Sequence, residues 1–148
     1  MERILVINGP NMNFLGIRQP EIYGFDTYDD LCGYLQQKAV KLGLTVSFFQ
    51  SNHEGDLIDA LQDAYEDDID GVILNAAAYT HTSIALRDAI ESMPYPVVEV
   101  HMSAPEERED FRKTDLIKDV CAAYFAGERF LSYGKALQFL ADLQKTLA

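Results

Sequence analysis

The chain has 148 residues, 48% hydrophobic and 24% charged, with a formal net charge of -12 from 24 acidic and 12 basic side chains. That length suits one folded unit, read here as a single catalytic domain over residues 1–148; such a unit buries roughly 70% of the surface its unfolded form exposes, and the balance excludes a disordered or low-complexity chain. The acidic excess argues against nucleic acid and anionic membranes as partners, so an anionic small molecule has to be drawn in by local donors.

In chain order, Ile4-Leu5-Val6-Ile7 is a short apolar run suited to a strand buried on both faces. Asn8 to Gly24, NGPNMNFLGIRQPEIYG, then interrupts the pattern until about Thr27. A loop of that length in a compact domain is usually functional, and its Asn, Gly, Pro and Arg content reads as a lid over an active site. Leu31, Leu35, Ala39 and Leu42 recur at helical spacing before Gly43, predicting a helix near 27–42. Leu44 to Gln50 reads as a second strand. Ser51-Asn52-His53-Glu54 has the form of a capping box, opening a helix that runs to about Glu66.

Residues 71–74 form the third strand, Thr82 to Met93 the third helix and Pro96 to Val100 the fourth strand. A fifth strand is expected around Val120 to Ala126, and a last helix from about Phe130 that buries Tyr133, Leu137, Leu140 and Leu147. Strict alternation of this kind requires a mainly parallel sheet with helices on both faces. By analogy with other folds of this size, the expected fold is a flavodoxin-like α/β three-layer sandwich with strand order 2-1-3-4-5. Cys32 in a helical pattern and Cys121 in an apolar run predict two buried thiols rather than a disulfide or a metal site. No secretory signal pattern opens the chain, and no apolar run approaches the ~20 residues of a membrane span, so the expected location is the cytoplasm.

Ligands of such sheets bind beyond the carboxyl ends of the strands. Asn8 and Asn11 follow the first strand, Asn75, Thr80 and His81 the third, and Glu99, His101 and Ser103 close the fourth. Each asparagine alone fits a turn; it is their convergence from three strand ends that points to a site. His81, ahead of the third helix, either binds a substrate oxygen or caps that helix. Glu99 and His101 are two apart in a strand and so share a face. There the carboxylate can orient the imidazole and favour its protonated form as a general acid, the alternative being a satisfied core histidine. Of the six arginines, Arg18, Arg108 and Arg112 lie in loops or loop-helix junctions. A tyrosine hydroxyl ordinarily ionises near pH 10, and a guanidinium held close favours the phenolate. Tyr23 beside Arg18 is therefore a candidate base, or a plain loop anchor.

Taken together, the lid sequence, FFQSNHEGDLIDAL, LNAAAYTHTSIALRDAI, VVEVHMS and REDFRK in this order resemble the type II 3-dehydroquinate dehydratases. These are small flavodoxin-like enzymes that remove water from 3-dehydroquinate to give 3-dehydroshikimate, in shikimate synthesis or quinate breakdown. The resemblance implies that Tyr23 takes the C2 proton with Arg18 beside it, that Asn11 holds a water stabilising the enolate, and that His101, set by Glu99, protonates the departing C1 hydroxyl. It implies that Asn75 and the backbone NH groups of Met102 and Ser103 grip the substrate carboxylate, and that His81 and Arg112 bind ring hydroxyls. Asp88 would reach a neighbouring subunit's site in trimers grouped into a dodecamer. An enolate route needs no metal or organic cofactor, and no lysine stands out for a Schiff base.

The chain departs from the family pattern at Gln19, usually acidic, at the alanines 76–78, usually richer in glycine, and at Ala104, usually Asn. Residues 115–135 lack the usual glycine-rich signature. A flavodoxin-like binding or signalling module would carry a Ser/Thr-rich loop or acidic residues where Asn8 and Asn75 stand, and no G-x-G-x-x-G occurs. The remaining alternative is a catalytically silent relative kept for binding or assembly, against which Tyr23, Arg18 and His101 argue.

Overall fold

Ile4, Val6 and Ile7 are almost wholly removed from water because β1 (Glu2–Asn8) runs through the middle of the sheet, paired with a strand on each side. The computed structural model describes residues 2–147, with Leu147 described for its backbone alone. β3 (Gly71–Asn75) and β4 (Val97–His101) are buried at every position, which is why they read as continuous apolar runs. β2 (Leu44–Gln50) alternates between buried and more exposed positions, as an edge strand should, and β5 (Ala123–Ala126) closes the other edge. The five strands are all parallel in the order β2-β1-β3-β4-β5, the flavodoxin-like arrangement expected.

Helices cover both faces. α2 (Tyr28–Leu42) and α5 (Phe130–Leu147) bring Leu31, Leu35, Tyr133 and Leu137 against Ile4, Val6, Val98 and Val100 on one side. α3 (Glu54–Glu66) and α4 (Ile84–Ser92) bring Leu57, Leu61, Leu86 and Ile90 against Ile7, Val72, Leu74 and Val97 on the other. Each large side chain buried this way contributes about 1.5–3 kcal/mol, so the two cores hold the sheet without cross-links. Tyr133, Leu137 and Leu140 are buried as the periodicity requires, while the side chain of Leu147 lies outside the described residues.

Local signals set most ends. Thr27 caps α2 in a reciprocal box with Asp30, and Gly43 stops it in the left-handed conformation at φ 73. Ser51 does not form the box its sequence suggests. Its hydroxyl donates to Asp56 at 2.6 Å and accepts from the amide of His53, so α3 starts at Glu54 with His53 as its N-cap. The third helix is shorter than its periodicity, beginning at Ile84 because the Ser83 hydroxyl accepts from the Leu86 amide. The fifth strand likewise begins later than Val120, which ends a short 3-10 turn instead. Both cysteines are free and partly rather than fully buried.

Residues 8–24 are also more ordered than a loop. A 3-10 turn spans Met12–Phe14 and a helical turn, α1 (Pro20–Tyr23), follows Gln19, while Met12, Leu15 and Tyr23 pack into the core beneath α2. Pro20 sits at the first helical position, where its missing NH costs nothing. The segment starts from a tight contact: the Gly9 amide donates to the Asn75 carbonyl at 2.7 Å. A Cβ on Gly9 would lie 2.7 Å from the Ala76 carbonyl oxygen, backbone that cannot swing aside. Gly9→Ala is therefore expected to cost about 2 kcal/mol, seen as a melting temperature lower by roughly 4–8 °C. An unchanged melting temperature would show that the two loops are free to separate.

Candidate active site

The parallel register lines up the polar strand ends: Gln50, Asn8 and Asn75 lie side by side across β2, β1 and β3, and Leu74 pairs with Glu99 of β4. Beyond that row opens a cavity of about 230 Å³, lined by Asn11, Arg18, Tyr23, Asn75, His81, His101, Met102, Ser103 and Arg112 among others. Nine of the expected site residues thus meet in one place. Glu99 lies directly behind the cavity wall, hydrogen-bonded to His101. Asp88 does not join them; it is exposed on α4.

Tyr23 is 8% exposed, held where α1 folds over the strand ends. Arg18 lies over its ring, 4.6 Å from the centroid, a cation–π arrangement rather than a contact with the hydroxyl. The hydroxyl itself accepts a 2.8 Å hydrogen bond from Nη1 of Arg108, which also reaches the Ser103 hydroxyl at 3.3 Å. A charge-assisted bond of this kind favours negative charge on the phenolic oxygen. Arg108 is the cavity residue to which the sequence reading gave no role; it is visible there as a loop arginine, but nothing local links it to a tyrosine 85 positions away.

Asn75 is buried and fully engaged. Its amide nitrogen donates to the Tyr133 hydroxyl at 2.8 Å and to the sulfur of Met12 at 3.5 Å, and its oxygen accepts from the Ala77 amide. Tyr133 in turn donates to Asn8 at 2.5 Å. A hydroxyl on α5 therefore ties the ends of β1 and β3 together. Asn11 adopts the left-handed conformation at φ 70, and its amide donates to the Asn52 side chain at 3.0 Å. Gln50 donates to the Gly9 carbonyl at 3.2 Å, so the end of β2 anchors the start of the lid. His81 does not cap α4. Its Nδ1 lies 2.6 Å from the Thr114 carbonyl, which only a protonated Nδ1 can satisfy, leaving Nε2 as an acceptor. Arg112 is held by Glu109 at 2.8 Å.

Val98 and Val100 point toward α2 and α5, so Glu99 and His101 point to the opposite face. His101 Nε2 and Glu99 Oε2 are 2.6 Å apart, with side-chain exposures of 6% and 0%. The spacing on β4 suggested a carboxylate favouring an imidazolium, but burial of both partners reverses that balance. Loss of water pushes the Glu99 carboxyl up to about 10, with Asp115 adding to the effect. Burial also pushes the His101 imidazole down to about 4. Both shifts favour the neutral forms, a carboxylic acid beside an uncharged imidazole.

A family model described as dehydroquinase class II matches residues 2–141. The chain belongs to this family. It is 46% identical to a 3-dehydroquinate dehydratase of Caldicellulosiruptor saccharolyticus over 97% of this chain and 99% of that one. It is 50% identical to another from Exiguobacterium sp., over 95% and 94%. The crystal structure of a type II dehydroquinase from Butyrivibrio crossotus superposes with a TM-score of 0.92 at 42% identity, covering 94% of this chain and 97% of that one.

As in any class II dehydroquinase, the substrate is an anion, and the cavity suits one: Arg18, Arg108 and Arg112 line it and no carboxylate does. Against a net charge of -12, those guanidiniums supply the local attraction that the surface lacks. Glu99, His101 and Asp115 offer ligand atoms within 4.8 Å of one another, the one such grouping among the described residues, although His101 Nε2 is already committed to Glu99. Among those residues no helix is long and apolar enough to cross a membrane.

Burial of Glu99 makes a pH dependence that can be measured. Its proton affinity is higher folded than unfolded, so the stability it contributes is complete below its ordinary value of 4.5 and is lost progressively up to about 10. His101, depressed, acts oppositely, but only below 6.5. Between about 6.5 and about 10 the melting temperature should therefore fall with pH, and fall less steeply in Glu99→Gln. Parallel slopes for the two proteins would mean that Glu99 is already ionised in the folded state.

Proposed function

We propose that this dehydroquinase converts 3-dehydroquinate to 3-dehydroshikimate with Tyr23 as base and the Glu99–His101 pair as acid, within one catalytic domain spanning residues 1–148. The observation that carries this reading is the Tyr23 oxygen held by Arg108, under Arg18, in the same cavity as a histidine backed by a buried carboxyl. A base and an acid on one cavity are what proton abstraction followed by loss of water requires.

In the first step the Tyr23 phenolate takes the C2 proton, and the electrons move onto the C3 carbonyl oxygen as an enolate. Arg108, hydrogen-bonded to the oxygen, and Arg18, over the ring, hold the phenolate form. Asn11 takes from the family resemblance the role of holding the water that stabilises the enolate. In the second step the enolate electrons re-form the carbonyl, the C1–O bond breaks, and the hydroxyl leaves as water with a proton from His101. Asn75 and the amides of Met102 and Ser103 bind the substrate carboxylate. The Met12 sulfur is a weak acceptor for the second Asn75 hydrogen, and a carboxylate displaces it readily. His81, with Nε2 accepting, and Arg112 bind ring hydroxyls. Asp88, exposed on α4, completes the site of an adjacent subunit in a trimer, and trimers assemble into a dodecamer. Both proton transfers run on side chains, so no cofactor is assigned.

Mixing the protein with 3-dehydroquinate and following the ultraviolet absorbance of the conjugated enone tests the reaction. Tyr23→Phe is expected to lose about 10²–10⁴-fold in kcat while still binding substrate; near-normal turnover removes Tyr23 as the base, and a parent without activity favours a silent binding or assembly relative. Subunit exchange between Asp88→Asn and Tyr23→Phe should restore part of the activity, because some sites then receive both intact residues. No recovery in demonstrably mixed oligomers rules against a shared site.

A further inference from the structure

Behind the acid lies a second carboxylate that none of the roles above uses. Asp115 is in the segment after β4, pinned there by the fully buried Ile117, and its Oδ1 accepts from the amides of both Ile117 and Lys118 at 3.0 Å. Glu99, His101 and Asp115 each bring a polar atom within 4.8 Å of the others. Glu99 Oε2 is taken by His101, while Oε1, wholly buried, finds no donor. An unsatisfied buried oxygen costs about 1–3 kcal/mol, more if it is charged. Asp115 is another acceptor close by, so ionising Glu99 would set two carboxylates side by side, which their mutual repulsion and the burial of Glu99 both oppose.

We propose that Asp115 is a positioning residue for the acid step, its negative charge keeping the proton on Glu99 so that the Glu99–His101 pair stays loaded when Tyr23 is ionised. This rests on the reading that the pair supplies the proton for the departing hydroxyl. In that step His101 gives its Nδ1 proton to the leaving oxygen while Nε2 receives the proton of Glu99. The C1–O bond breaks, water leaves, and Glu99 is left as a carboxylate. Tyr23 holds the proton taken from C2. Exchange with solvent then empties Tyr23 and refills the pair, so protons balance over a cycle.

The charge of Asp115 matters because formation of a second carboxylate beside it is unfavourable, which keeps the proton on Glu99 into the alkaline range. The other groups near the pair come from every side. Glu106 and Lys118 approach from the same segment as Asp115, His81 from the turn after β3, and the Cys121 thiol from the lead into β5. Glu106 acts with Asp115, whereas Lys118 opposes it from an exposed position over the Tyr124 ring, 4.1 Å from the centroid. Asp115 heads the neighbours that add to burial in raising Glu99.

Asp115→Asn keeps an oxygen for the two amides and removes only the charge. It is expected to move the alkaline limb of the kcat profile down by roughly one pH unit, with Asp115→Glu close to the parent. The whole protein also gives a readout independent of turnover. Infrared difference spectra at mildly alkaline pH should contain a protonated carboxylic acid band that Glu99→Gln abolishes and whose titration Asp115→Asn shifts to lower pH. Absence of that band in the parent, or an unmoved limb and band in a folded Asp115→Asn protein, overturns the inference. Should Asp115→Asn fail to fold, Asp115→Ser, which also keeps an oxygen acceptor, takes its place under the same criteria. A parent that forms no enone counts against the proposed reaction, and the band then judges the Asp115–Glu99 pairing by itself.

Discussion

In-register parallel pairing is the constraint from which the site follows. Because β1, β2, β3 and β4 all run the same way, their carboxyl ends arrive at one edge, and the register puts Gln50, Asn8 and Asn75 in a single row. A polar row at the end of buried strands needs partners, and the fold supplies them from distant elements. Tyr133 on α5 bridges Asn8 and Asn75, and Asn52 takes the Asn11 amide. The lid is thereby fixed at its base to three strands, which is what allows a four-residue helical turn to hold Tyr23 over the cavity.

Charge is sorted about His101. On its cavity side stand three guanidiniums, two of them at Tyr23. Behind it, away from the cavity, stand Glu99 and Asp115. Positive charge thus stands beside the tyrosine and negative charge behind the histidine. The two proposed proton-transfer groups therefore have opposite neighbours, in a protein whose overall charge is strongly negative. Withdrawal from water is essential to this arrangement, since in a wetter setting the 2.6 Å contact of Glu99 with His101 would settle as an ordinary ion pair.

Where periodicity rests on burial, it carries through to the structure. The apolar runs of β1, β3 and β4 and the helical faces of α2 and α5 lie where their patterns place them, because a residue's preference for the core does not depend on which neighbour fills it. Polar patterns behave differently. Ser51 and Glu54 have the spacing of a capping box, yet Asp56, one turn on, takes the Ser51 hydroxyl. Arg18 is near Tyr23 in sequence and reaches only its ring, whereas Arg108 reaches the oxygen. A hydrogen bond is decided by which of several competing partners has the right direction, and spacing along the chain does not encode direction between elements.

By itself the sequence determined the sandwich, the strand ends at which a site had to lie, the enzyme family, and the residues gathered there from Asn11 to Arg112. It did so through burial periodicity and through motifs whose order is specific. The tertiary structure alone decided the helical order of the lid, the bond from Arg108 to Tyr23, and the placing of Asp115 behind Glu99. It also decided the burial that favours the neutral forms of Glu99 and His101. Those outcomes depend on how much water is removed and on contacts between segments far apart in the chain, and both exist only once the chain is folded.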